Sequence, residues 1–91
     1  MYSVVSTNRF RKDLKSAIKR QYDLSLLNEA VDTLAEGNPL PAHNKDHALS
    51  GKWKAHRECH LTPDWLLIYK IEKDILVLTL TRTGTHSDLL E

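Results

Sequence analysis

The stretch Trp65–Ile71, WLLIYKI, decides how this chain folds. It is short and nearly all apolar, which suits a central strand covered on both faces. A central strand needs a neighbour on each side. Downstream, Glu72-Lys73-Asp74 reads as a polar hairpin turn into a last strand, Ile75 to Thr81. Alternation there puts Leu76, Leu78 and Leu80 on one face with Arg82. Upstream, Thr62-Pro63-Asp64 is a turn, preceded by a less hydrophobic strand, Lys52 to Leu61. Its alternation sets Arg57, Cys59 and Leu61 against His56, Glu58 and His60. Strands joined by such tight turns form an antiparallel meander.

Two helices are expected before the meander. Tyr2-Ser3-Val4-Val5 reads as a first strand, followed by Ser6, Thr7 and Asn8, all good helix N-caps. Phe10, Leu14, Ala17 and Ile18 then fall on one face of a helix. Asp23 can cap a second helix with Leu27, Ala30, Val31 and Leu34 as its stripe, ended by Gly37-Asn38-Pro39. The short break near Gln21 favours an antiparallel pair. Pro39 to Gly51 reads as a loop. The order β-α-α-β-β-β predicts an α+β fold, with the helices packed on a twisted, mostly antiparallel sheet.

The chain's 91 residues predict a single domain, 1–91. One cysteine permits no internal disulfide and fits a reducing compartment. The absence of a leader-like N-terminus and of a long apolar run points to a cytoplasmic protein. The net charge of +1 hides an asymmetry: Arg9, Arg11, Lys12, Lys15, Lys19 and Arg20 face Asp13 alone in residues 1–22. That basic element can meet phosphate or an acidic protein, or simply form a solvated helix face.

Chemistry concentrates in KDHALSGKWKAHRECHLTPDW, Lys45 to Trp65, and in Arg82-Thr83-Gly84-Thr85-His86. No HExxH, CxxC, P-loop or GxGxxG is present. The pairs His43/His47 and His56/His60 have metal-ligand spacing only on a helix, whereas they fall on a loop and a strand. No metal site and no cofactor are expected. Cys59 lies on the expected core face, where it packs rather than reacts. Histidines with a carboxylate suit proton transfer in phosphodiester cleavage. The plain readings are that His43 and His56 are surface residues, Trp53 and Tyr69 are core, and Asp64 is only a turn residue.

The pattern KDHxLxGxWxxxRxxHxxPDWxLIYK, followed by RTGTHxxLL, resembles the YafQ family of bacterial toxins within the RelE/ParE group. The similarity spans essentially the whole chain. It implies a RelE-like microbial RNase fold and cleavage of messenger RNA in the ribosomal A site. Implied partners are the ribosome with its messenger, an inhibitory cognate antitoxin, and operator DNA through the toxin–antitoxin complex. It further implies that His47, His60, Asp64 and His86 are catalytic, that Trp65 follows in the same motif, and that Arg82 contacts phosphate. Lys45, with Lys52 and Lys54, is an expected contact for RNA or an acidic antitoxin segment. Near the C-terminus the family carries an aromatic in its active site; here the position is Leu90, which keeps apolar contact with RNA but cannot stack on a base.

The expected mechanism is metal-independent attack by the RNA's own 2′-hydroxyl. His86 is the better candidate for the acid and His60 or Asp64 for the base, with the roles open to exchange. The competing readings are a ParE-like toxin that binds DNA gyrase and a catalytically silent binding module. The histidine cluster weighs against both.

Overall fold

The computed structural model describes residues 1–89. In chain order the elements are β1 (Ser3–Ser6), α1 (Asn8–Lys19), α2 (Leu24–Ala35), β2 (His47–Ala48), β3 (Arg57–Thr62), β4 (Trp65–Glu72), β5 (Val77–Gly84) and α3 (His86–Leu89). Short 3-10 turns, Ala42–Asn44 and Gly51–Trp53, flank β2. The sheet order is β1-β5-β4-β3-β2, with β1 parallel to β5 and the other pairs antiparallel. No helix among the described residues is long and apolar enough to cross a membrane.

Local chemistry fixes the helices. The Thr7 hydroxyl accepts the Phe10 N–H and caps α1, while Asp23 caps α2 by accepting from Ser25. Gly37, at φ 81°, takes the left-handed position past α2. Phe10, Ala17, Leu27, Ala30 and Leu34 from the helices meet Cys59, Leu67, Tyr69 and Leu78 from the sheet in the main core. Ile18, expected in the apolar stripe, is 54% exposed.

β4 is covered on both faces, as its composition predicts. Trp65, Leu67 and Tyr69 join the helix-side core. Leu66 and Ile68 join a second cluster with Leu89 of α3, and Leu49 and Trp53 pack against it. Cross-strand partners share a face, so the pairs His47–Glu58, Glu58–Ile68 and His60–Leu66 put both histidines on that second face, away from α1 and α2.

The strands depart from expectation in several places, among them β2, which lies within the stretch read as a loop. Ala55 (φ 72°) and Gly51 (φ 66°) are left-handed, which an extended strand cannot accommodate, so β3 starts at Arg57 rather than Lys52. Leu76 (φ 54°) belongs to the turn, is 52% exposed, and β5 begins one residue later. A register shift pairs Ile68 with Arg82 but Tyr69 with Leu80. The extra residue, Thr81, breaks the alternation. Arg82 therefore drops out of the alternation of Leu76, Leu78 and Leu80, and its side chain reaches Asp13 of α1.

Candidate active site

Leu66 pairs with Gly84 at the adjoining ends of β4 and β5. Continuing this antiparallel register past the sheet brings the β3–β4 turn against the start of α3. There Asp64 meets His86: Asp64 Oδ1 accepts from His86 Nδ1 at 2.6 Å and from the His86 backbone N–H at 3.1 Å. These bonds, the ring bond first, hold the Asp64 carboxyl below its usual range. They also assign the Nδ1 proton, leaving Nε2 as the free nitrogen.

The His86 ring centroid lies 5.7 Å from that of His60, which lies 6.2 Å from that of His47. His60 is held from behind by Asn44, a buried residue whose Nδ2 donates to the His60 carbonyl at 2.8 Å. His47 Nδ1–H donates to the Lys45 carbonyl at 2.8 Å, because a carbonyl can only accept. Nε2 is left facing Glu58 Oε1 at 3.4 Å. Three imidazoles thus stand in a row between two carboxylates, one exposed (Asp64) and one buried (Glu58). His47, Glu58 and His60 offer three donor atoms within 4.8 Å of one another, a set that fits a transition metal. Beside His60 a groove of about 340 Å³ is lined by His43, Lys45, Leu61, Thr62 and Pro63.

Residues 2–91 match the family described as the bacterial toxin of type II toxin–antitoxin systems, YafQ. The chain belongs to that family. It is 43% identical over 84 residues to the mRNA interferase toxin YafQ of Escherichia coli K12, covering 91% of this chain and 89% of that one. Its fold is similar to the E. coli DinJ–YafQ complex, at TM-score 0.91 and 39% identity over 100% of both chains. It is also similar to a metal-bound toxin from Helicobacter pylori, at TM-score 0.92 and 46% identity over 98% of this chain and 99% of that one. The RelE-like α+β fold expected from the sequence is the one observed.

The four residues read as catalytic lie together, and Lys45 adjoins them, exposed, with its carbonyl on His47. Trp65 needs correction as an RNA contact. It is 2% exposed in the helix-side core, with its ring centroid 4.9 Å from that of Tyr22. Adjacent strand residues face opposite ways, so following Asp64 in the chain carries the indole away from the groove. Arg82 is largely committed elsewhere: Nε and Nη2 donate to Asp13 at 2.7 and 3.1 Å, and its side chain is 13% exposed. A phosphate there would compete with Asp13. Leu90 lies outside the described residues. His43 is exposed, and half-buried His56 packs edge-on to Trp53. Cys59 is fully buried, and burial pushes its thiol up to about 12.

Sequence reasoning missed Glu58 as a site residue, although alternation had set it on the face of His60. It also missed Arg20, whose guanidinium pairs with Asp88 beside His86. No local pattern marks that pair, because its members are 68 positions apart.

Proposed function

We propose that this chain is an mRNA interferase: an endoribonuclease that cuts messenger RNA on the ribosome, with His47, His60, Asp64 and His86 as its catalytic group. The observation that carries the reading is the row of three imidazoles between two carboxylates, open to solvent at His47, Asp64 and His86. A gyrase-binding surface of the ParE kind has no need of such a row.

The reaction follows from the groups present. The RNA 2′-oxygen attacks the adjacent phosphorus while a base removes its proton. The P–O5′ bond breaks, and an acid protonates the leaving 5′-oxygen. Products are a 2′,3′-cyclic phosphate and a 5′-hydroxyl. Asp64 is engaged with His86 Nδ1, so it orients that ring and stabilises its cationic form. That suits His86 Nε2 as the acid and leaves His60 as the base. Lys45 stabilises charge building on the phosphate. His47 and His60 would be withdrawn from proton transfer by a metal held between them and Glu58, so the step proposed here uses none.

A cognate antitoxin is the proposed inhibitor, supported by the similarity to the E. coli DinJ–YafQ complex. Operator DNA would be met only through the toxin–antitoxin complex. The exposed cations Lys45, Lys52 and Lys54 supply the phosphate-facing surface for ribosome and messenger.

The test is ribosome-bound messenger cut by purified toxin, with magnesium exchanged for a ribosome-preserving polyamine buffer containing chelator. Expected are a 2′,3′-cyclic or 3′-phosphate, a 5′-hydroxyl, and no cleavage of a substrate carrying 2′-deoxy at the cut. A 5′-phosphate product, or undiminished cutting of the deoxy substrate, would overturn the mechanism.

A further inference from the structure

We infer that Arg20, at the far end of α1, is a positioning residue for the Asp64–His86 pair, acting through Asp88 on one side and Tyr22 on the other. The inference rests on the reading of His86 as a proton-transfer residue.

Arg20 lies at the junction of two routes to the pair. On the first, Nη1 and Nη2 donate to the two oxygens of Asp88 at 2.6 and 3.2 Å. Asp88 accepts the Thr85 N–H at 3.0 Å, and its own N–H donates to the Thr85 hydroxyl at 3.1 Å. This reciprocal exchange is a capping box around the first turn of α3, the turn that His86 opens. On the second route, the Arg20 guanidinium carbon lies 5.9 Å from the Tyr22 ring centroid, and Nη1 is 3.4 Å from the Tyr22 hydroxyl. Tyr22 packs on Trp65, the residue after Asp64. One planar cation thus braces both members of the catalytic pair from behind.

The alternatives for α3 are weak without this brace. It is four residues long, too short to hold itself. Leu89 anchors its end in the second cluster, but His86 and Ser87 are exposed. A bidentate guanidinium–carboxylate pair fixes direction as well as distance. Arg20 holds the Asp88 carboxyl well below the usual carboxylate range, so the pair stays charged at neutral pH. Gly84 testifies to the close fit: a Cβ there would lie 2.9 Å from Asp88 Cβ.

The experiment measures kcat and KM for ribosome-bound messenger with full-length Arg20→Ala, Asp88→Ala and the double variant, each also in a His86→Ala background. Backbone-amide and ring-proton NMR of His86 is recorded on every variant that retains it. Positioning predicts that each single variant lowers kcat about tenfold at nearly constant KM, that the double variant is no worse than either, and that nothing is lost on top of His86→Ala. Arg20→Lys, which keeps the charge but not the fork, should fall between wild type and alanine. If Arg20 instead touched RNA, Arg20→Ala would raise KM while Asp88→Ala, which frees the cation, would not impair cleavage; that result overturns the inference. Should His86→Ala keep full activity, the catalytic reading falls by itself. Positioning is then judged by NMR: shifted His86 resonances in Arg20→Ala support it, and unchanged ones overturn it.

Discussion

Asp64 Oδ1 receives both the ring Nδ1–H and the backbone N–H of His86, at 2.6 and 3.1 Å, across 22 positions of sequence. One oxygen therefore fixes where the residue sits and which ring nitrogen carries its proton. Asp64→Asn should weaken this control, because an amide lacks the charge that favours imidazolium and can present a donor to Nδ1. Cleavage should fall roughly 10²–10⁴-fold, the span that acid–base catalysis supplies, with the fold retained because Asp64 is exposed. Single-turnover cleavage on saturating ribosomes measures this directly. An Asn variant cutting at the wild-type rate would return Asp64 to being a turn residue.

Acid should act on the same end of the molecule. Hydrogen bonds from His86 lower the Asp64 carboxyl, and Arg20, followed by the Thr85 N–H, lowers that of Asp88. A carboxyl depressed in the fold binds its proton more readily when unfolded, so its contribution to stability rises with pH. It is complete above the ordinary carboxylate value of about 4 and disappears as pH falls through the lower folded value. Thermal melts of the wild type and Asp88→Asn should differ by a constant amount from about pH 5 to about pH 8. They should converge in stronger acid. A gap that widened with acidification would have the wrong sign for this account.

The buried indole invites a different measurement. Trp65 is 2% exposed against Tyr22 and the helix-side core. Trp65→Ala should cost about 3–5 kcal/mol of stability by opening a cavity, read from urea unfolding. Trp65→Phe should retain most of the stability and, once folded, an unchanged KM for ribosome-bound messenger. A raised KM with unaltered stability would restore the RNA-contact reading.

The central strand was legible because burial on both faces erases alternation, and WLLIYKI shows none. His60, Asp64 and His86 were legible as motif members, and the meander order was enough to bring them near one another. The Trp65 error came from treating motif adjacency as spatial adjacency, which the pleat of a strand reverses. Thr81 was illegible for another reason: a bulge depends on the partner's register, and nothing in VLTLTRTG by itself marks the extra residue. Arg20 looked like one more cation on a basic helix. Only the fold brings Asp88 against it.

Gly84 supplies a last test. It ends β5 without a left-handed backbone, and its missing side chain leaves room for Asp88. In Gly84→Ala the new methyl would lie 2.9 Å from Asp88 Cβ and 3.0 Å from Oδ2, so Asp88 must move. Overpacking of this kind costs roughly 1–3 kcal/mol. Displacing Asp88 also loosens its bonds to Arg20 and Thr85, so cleavage should drop along with stability. Asp88→Gly, which removes the Cβ and the carboxylate together, discriminates between these effects. In the Asp88→Gly background Gly84→Ala should cost no further stability, and the double variant should cut no faster than Asp88→Gly. Full recovery of cleavage in the double variant, which keeps the methyl but has no carboxylate, would mean that Asp88 does not hold the site in place.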